Sequence, residues 1–222
     1  MILRKYKIAM SVIVTFMLIF STSAYAFATS YFDGGKKVVS NNGAAATIEV
    51  QNPYVTVDVS AWVMTASSDG SGWASVGWGK RSGQSNPQQF YEYVYTPTNL
   101  WVQRDDFGAA TNSSYNYKVG CDSTTMYFII DGVTKATVSL TSIPYSRSEA
   151  QFFGETHSTA EQSPGSVSNP VTFSVAQYKT TSNSWVSCGV TNPYTAGQGS
   201  LTTQKNNIDT GDTTWEIWDS RY

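Results

Sequence analysis

The chain has 222 residues, with 14 lysines and arginines, 16 aspartates and glutamates, and a single histidine. A formal net charge of −2 lacks the basic excess that binding to nucleic acid or to anionic membranes requires, so we expect neither as a partner. The charge thus excludes two classes of function but no class of fold.

The first 26 residues have the pattern of a secretory signal peptide. Three basic residues, Arg4, Lys5 and Lys7, precede the apolar run IAMSVIVTFMLIF, and STSAYA then ends in the small-x-small pattern of a cleavage site. The apolar run is too short to span a membrane comfortably, although an uncleaved N-terminal anchor is the alternative. We expect cleavage after Ala26 and a secreted protein without membrane contact, carrying 14 − 3 = 11 basic against 16 acidic residues.

Short alternating runs, typical of β-strands, follow one another along the mature chain and are separated by Gly, Pro, Asn, Asp and Ser. Residues 27–44 are interpreted as an N-terminal arm and residues 189–212 as a long surface loop. Asp131-Gly132 predicts a hairpin turn. The pattern predicts one all-β domain over residues 45–222, a two-sheet antiparallel jelly-roll sandwich. The predicted strands are 46–51, 54–66, 72–80, 89–96, 99–105, 114–120, 124–131, 133–140, 150–157, 170–179 and 213–219.

Two cysteines, Cys121 and Cys188, lie in the mature part. Outside the cell they form a candidate disulfide, and their spacing does not decide whether they pair. Two cysteines and one distant histidine match no metal-ligand spacing, so we expect neither a metal nor another cofactor.

Glu155 and the lone His157 lie in EAQFFGETH, where alternation places Gln151, Phe153, Glu155 and His157 on one face of a strand. A carboxylate among aromatic side chains is either paired or has a raised pKa, and acid catalysis uses carboxyl groups whose pKa is raised. The alternative is a structural glutamate without a catalytic role. Glu92 lies similarly in FYEYV. A serine triad built on His157 is disfavoured because no G-x-S-x-G motif occurs.

Several stretches resemble, in their order, the β-sandwich glutamic peptidases, which comprise the fungal eqolisins and the plant and bacterial neprosin-like proteins. These are GWASVGW, FYEYVYT, a strand with a cysteine, FIIDGVTKATVSL, EAQFFGE and PVTFSVAQY, within residues 45–180. The resemblance implies a concanavalin-like pair of large sheets, a catalytic role for Glu155 and a supporting role for Glu92. The residues expected to line the substrate groove are Trp78, Phe90, Gln151, Phe153 and His157.

The chain departs from this family at Ser75. The family's second catalytic residue, Gln in eqolisins and Glu in neprosins, stands two positions before a Gly-aromatic pair, and Ser75 stands there before Gly77-Trp78. A serine hydroxyl can neither act as a carboxylate base nor donate from an amide to an oxyanion. The resemblance therefore implies either that the catalytic pair is rebuilt, with Glu92 as the partner of Glu155, or that peptidase activity is lost.

Four functions stay open on the sequence, together with the oligomeric state. The first is a secreted relative of the glutamic peptidases whose catalytic pair is lost or rebuilt, and the second is an active acid endopeptidase using Glu155 and Glu92. The third is a glycan-binding module in which Trp73, Trp78, Trp101 and the tyrosines of FYEYVY stack on sugar rings. A glycoside hydrolase ranks last because the E-x-D-x-x-E strand motif is missing. The ligand is thus an extracellular peptide or glycan, and Ser75, Glu92 and Glu155 are predicted to share one face of one sheet.

Overall fold

The computed structural model of the chain describes residues 30–95, 100–190, 192–194 and 201–222, without the side chains of residues 100–104 and 192–194. The predicted signal peptide lies outside these residues. The described part contains no helix, and so none that could cross a membrane. Its strands are β1 (Tyr31–Val38), β2 (Gly43–Glu49), β3 (Asp58–Ala66), β4 (Gly72–Arg81), β5 (Gln88–Tyr95), β6 (Leu100–Ala109), β7 (Ser114–Cys121), β8 (Thr125–Ile130), β9 (Val133–Ser139), β10 (Glu149–Thr156), β11 (Val171–Lys179), β12 (Trp185–Ser187), β13 (Asn192–Tyr194), β14 (Gln204–Asn206) and β15 (Trp215–Asp219).

The strands form two antiparallel sheets. The seven-stranded sheet has the order β13-β1-β10-β3-β4-β5-β6, and the eight-stranded sheet has the order β14-β15-β11-β2-β7-β8-β9, with β12 beside β11. Some neighbours in these sheets are consecutive strands, as β3 and β4 are, while others, such as β1 and β10, join segments that are distant in sequence. This two-sheet antiparallel sandwich confirms the predicted fold class.

Alternation along the strands gives each sheet one face that points into a shared apolar core. Trp78 and Phe152 enter this core from the seven-stranded sheet, while Phe173 and Trp215 enter it from the eight-stranded sheet. The rings of Phe173 and Trp215 stack with centroids 5.5 Å apart. Burying a side chain such as Phe152 contributes roughly 1.5–3 kcal/mol, so these rings help hold the two sheets together.

The Asp131-Gly132 hairpin is confirmed between β8 and β9. Asp131 has φ 49° and Gly132 has φ 77°, the left-handed pair of backbone angles that a two-residue turn needs in order to match the twist of its strands. Local chemistry alone therefore sets this connection.

The N-terminal arm predicted over residues 27–44 is wrong from residue 31 onward. Tyr31–Val38 forms β1, which pairs with β10 on one side and β13 on the other. The glycines that suggested a loop are what allow the strand, because a Cβ at Gly34 would lie 2.2 Å from the carbonyl oxygen of Phe152. The surface loop predicted over residues 189–212 is likewise interrupted by β13 and β14, and it contains the buried Val190 and Ile208.

The candidate disulfide is also wrong, since Cys121 and Cys188 are both free and buried. Cys121 ends β7 and Cys188 follows β12, so β2 and β11 stand between them. Three strand spacings amount to about 14 Å, twice the longest Cα separation that a disulfide bridges. Burial raises the pKa of the Cys188 thiol to about 12, which keeps it protonated and unreactive.

Candidate functional site

The seven-stranded sheet carries a second apolar cluster on the face that points away from the core. We call this the outer face, and its cluster the outer cluster. Phe32 and Trp73 pack against it while partly buried. The buried members of the outer cluster are Trp62, Met64, Ala66, Phe90 and Phe153.

Strand register places all three predicted catalytic residues on the outer face. Glu155 alternates with Phe153 of the outer cluster, and Glu92 alternates with Phe90. Ser75 is paired with Glu92 and lies opposite Met64. The alternation read from the sequence therefore assigns the correct face to each of them.

Glu155 has a polar partner at each carboxylate oxygen. The indole Nε1 of Trp62 donates to Oε2 at 2.9 Å, and Nε2 of His157 lies 3.3 Å from Oε1. The other ring nitrogen of His157, Nδ1, lies 3.3 Å from the hydroxyl of Ser30. The Glu155 side chain stays 13% exposed and that of His157 25% exposed, so a ligand can reach both.

Aromatic rings form the apolar wall of this site. The rings of Trp62 and Phe153 lie 5.5 Å apart, and Phe32 meets them edge-on at 6.2 and 6.1 Å. These contacts fix the Trp62 ring and therefore the direction of its N–H. The site thus combines a partly exposed carboxylate, an imidazole and a rigid aromatic surface.

Glu161, which the sequence analysis did not single out, fixes the backbone beside His157. Its Oε1 accepts from the His157 N–H and from the Thr156 hydroxyl, both at 2.6 Å. Its Oε2 accepts from the N–H groups of Thr56 and Val57 at 3.1 and 2.8 Å. An acidic residue after a strand is too common a pattern to reveal such a role, which depends on donors about 100 residues away in sequence.

Ser75 and Glu92 form a separate polar pair. The Ser75 hydroxyl, which is fully buried, donates to Oε1 of Glu92 at 3.4 Å. Relative to Glu155, Ser75 lies two strands across and four residues along the sheet, and Glu92 lies one strand farther. Regular strand spacing makes these Cα separations about 16 Å and about 20 Å. A rebuilt pair in which Glu92 contacts Glu155 is therefore not formed.

Four of the five predicted groove residues, Phe90, Gln151, Phe153 and His157, lie on the outer face. Gln151 donates to Oε2 of Glu149 at 2.7 Å. The fifth, Trp78, is assigned wrongly. It is fully buried in the core between the sheets and donates to the carbonyl of Glu49, since it is one residue out of phase with the outer positions of β4.

The row of tyrosines suggested for glycan stacking lies on the opposite face from Glu92. The Tyr91 ring stacks on Phe107 at 5.2 Å, and its hydroxyl donates to Asp105 at 2.9 Å. Burial and this carboxylate raise the pKa of Tyr91 to about 12. Trp73 does lie on the outer face, while the Trp101 side chain is outside the description. Tyr91 is therefore committed to packing within the sandwich.

Among the described residues there is no group of three His, Cys, Asp or Glu able to hold a metal ion. Chemically, Glu155 can accept hydrogen bonds from a ligand or take a proton from water. Trp62 and His157 can stabilise its charge.

Comparison with known proteins gives the fold independent support. No family model matches the sequence, and no curated protein matches it. Two solved complexes of scytalido-glutamic peptidase, one with a peptide-based transition-state analogue and one with a transition-state analogue inhibitor, are similar to this chain with TM-scores of 0.55 and 0.57. Their sequence identities are 16% and 18%, over 86% of this chain and 98% of theirs.

A third similar structure is SCP-B, a member of the eqolisin family of peptidases, in complex with the tripeptide Ala-Ile-His. Its TM-score is 0.52 at 15% identity, again over 86% of this chain and 98% of its own. At such identities these likenesses establish the fold, which is the concanavalin-like sandwich of the glutamic peptidases. They do not by themselves transfer an activity.

Proposed function

We propose that this chain is an exported peptide-binding protein with the glutamic-peptidase fold, whose Glu155 site holds a peptide without cleaving it. The observation that carries the proposal is the separation between Glu155 and Ser75. Ser75 hydrogen-bonds to Glu92, while Glu155 hydrogen-bonds to Trp62 and contacts His157. Export rests on the signal-peptide pattern that ends at Ala26.

A peptide fits the chemistry of the outer face. Two of the similar structures are complexes, one with a peptide-based transition-state analogue and the other with a tripeptide. On this chain, the aromatic wall of Phe32, Trp62 and Phe153 offers contact for apolar side chains. The partly exposed Glu155 offers an acceptor for backbone N–H groups. Both recognition elements lie within one short stretch of the sheet.

Hydrolysis of a peptide needs more than this site supplies. A carboxylate can activate water, but the oxyanion of the tetrahedral intermediate needs a hydrogen-bond donor that is already in position. Losing one such donor lowers the rate by a factor of about 10²–10³. The Ser75 hydroxyl extends only about 2.4 Å from its Cα, which leaves it far from Glu155 at the separation given by regular strand spacing. We therefore expect the Glu155 site to bind a peptide but not to hydrolyse it.

The test uses the mature protein, residues 27–222, with fluorescent octapeptides of mixed apolar and polar composition and with casein. We expect saturable binding by fluorescence anisotropy and no cleavage of casein at pH 3–5 or at pH 8. Glu155→Gln should weaken binding at least ~10-fold, about 1.4 kcal/mol, because the ligand loses a charged acceptor. Glu216→Gln, which changes a partly exposed carboxylate on the other sheet, is the matched control and should bind normally.

The same test distinguishes peptide binding from an acid endopeptidase. The only observation that favours the endopeptidase is that Glu155 stands where the resembled family has its catalytic glutamate. Cleavage of casein at pH 3–5 that disappears in Glu155→Gln and resists serine, cysteine and metal peptidase inhibitors would overturn the binding proposal. A glutamine at position 75 reaches little farther toward Glu155 than serine does, so we expect Ser75→Gln and Ser75→Ala both to stay inactive. Slow cleavage at acid pH in Ser75→Gln alone would instead make the identity of residue 75, and not its separation from Glu155, the cause of inactivity.

A further inference from the structure

Asp33 in β1 is a buried carboxyl group that is only half satisfied. It is 3% exposed, and the side-chain amide of Asn206 donates to its Oδ1. Its Oδ2 is buried and has no hydrogen-bond partner among the described residues. An ionised carboxylate in such a position is costly, whereas the neutral acid is tolerated.

Asp33 lies where β1 contacts the other sheet, so the cost of ionising it affects the contact between the two sheets. Asp33 lies opposite Gly154 in β10, and a Cβ at Gly154 would point to Ile217 of the core, so Asp33 faces the space between the sheets. β1 belongs to the seven-stranded sheet and Asn206 to β14 of the other sheet. A second bond, from Gln204 to the carbonyl of Tyr31 at 3.2 Å, joins the same two strands.

β1 is also one side of the Glu155 site. Phe32, the residue next to Asp33, lies opposite Glu155 in the strand register. Its ring contacts those of Trp62 and Phe153 on the outer face. Any loosening of β1 at Asp33 therefore displaces part of the aromatic wall beside Glu155.

The charges around Asp33 do not offset its burial. Burial raises the pKa of Asp33 from 3.8 to about 7, against the opposing effects of Asn206, Lys205 and the backbone N–H of Gly34. Lys205 is the charged group that acts on Asp33 from β14. β10 faces Asp33 with Gly154, behind which lies Ile217 of β15, and neither residue titrates. The side chains of β13, the other neighbour of β1, are outside the description.

We propose that Asp33 makes the docking of β1 acid-dependent, so that the Glu155 site is fully assembled only while Asp33 is neutral. Because the folded chain binds this proton more tightly than the unfolded chain does, the stability of the fold declines as pH rises from about 4 to about 7 and levels off above that range. The inference concerns assembly of the site and holds whether the site binds a peptide or cleaves it.

The experiment compares the mature wild-type protein with Asp33→Asn, which keeps the shape but cannot ionise, and with Asp209→Asn, an exposed control. Urea unfolding is followed from pH 4 to pH 8. The wild-type unfolding constant should rise about 10²–10³-fold more over this range than that of Asp33→Asn, as the difference between 3.8 and about 7 implies. Asp209→Asn should behave as the wild type does.

Hydrogen exchange, corrected for the intrinsic rate at each pH, localises the effect. Between pH 5 and pH 8, residues 31–38 of the wild type should lose protection at least ~10-fold more than the same residues in Asp33→Asn. Equal losses in the two proteins would overturn the proposal. If Asp33→Asn does not fold, carbon-13 NMR of the wild-type Asp33 carboxyl decides: a titration midpoint above pH 6 supports the proposal, and a lower one overturns it.

Discussion

Glu161 and Asp33 are both almost fully buried close to the Glu155 site, yet they are satisfied in opposite ways. Glu161 accepts hydrogen bonds from Thr56, Val57, Thr156 and His157. Asp33 accepts a side-chain bond from Asn206 and leaves Oδ2 without a partner among the described residues. Burial alone therefore does not determine the effect of a carboxyl group on stability. The number of hydrogen-bond donors that point to it decides whether its ionised form stabilises or destabilises the fold.

The largest expected effect comes from removing the satisfied group. Glu161→Ala leaves the N–H groups of Thr56, Val57 and His157 without their acceptor, so we expect a loss of about 3–5 kcal/mol in the free energy of unfolding. Urea denaturation at pH 6 measures it. Glu216→Ala removes a carboxylate of β15 that accepts one long bond from Asn207 and should cost less than about 1 kcal/mol. Similar losses in the two variants would mean that the contacts of Glu161 are not energetically special.

A smaller and pH-dependent effect is expected at the half-satisfied group. Asn206→Ala removes the donor that favours ionised Asp33, so it should cost about 1 kcal/mol at pH 5, where Asp33 is neutral, and about 2–3 kcal/mol at pH 9, where Asp33 is charged. The loss of stability with rising pH thus becomes steeper. In an Asp33→Asn background the cost of Asn206→Ala should be the same at both values of pH, and a persisting difference would assign it to another group.

The sequence predicted the long alternating strands far better than it predicted β1 and the short strands β13 and β14. Alternation is strong where one face of a strand is buried, which is why the outer positions of β5 and β10 were assigned correctly around Glu92 and Glu155. β1 was missed because Gly34 and Gly35 suggest a loop, and the need for close approach to Phe152 and Val190 is visible only in three dimensions. Trp78 shows the same limit, since a shift of one residue moves a side chain to the other face.

The candidate site was predictable only in part, for a related reason. A pattern within one strand indicates that Glu155 and His157 share a face, but it does not identify partners on other strands. Trp62, the donor to Glu155, lies 93 positions away in sequence, and the anchoring of His157 by Glu161 depends on a turn. On the core side of β10, Ile217 and Pro164 occupy the space beside Gly154, which no pattern within the strand indicates. Contacts between strands thus carry most of the information that the sequence patterns lacked.

The smallest expected effect on stability is at the Glu155 site. In its hydrogen bonding, Glu155 is intermediate between Glu161 and Asp33. Its carboxylate has polar contacts at both oxygens and is still partly exposed, so water can replace a lost donor. Trp62→Phe keeps an aromatic ring beside Phe153 but removes the N–H that donates to Glu155. We expect a loss of about 1–2 kcal/mol in the free energy of unfolding, combining one hydrogen bond with some lost packing.

The same substitution separates a positioning role for Trp62 from a purely structural one. Phe153→Leu changes the same wall without touching the hydrogen bond to Glu155, and it should cost a similar amount of stability. If the indole N–H positions Glu155, Trp62→Phe should weaken peptide binding several-fold more than Phe153→Leu does, as measured by anisotropy at equal fractions of folded protein. Equal binding in the two variants would show that Trp62 contributes only its ring to the wall.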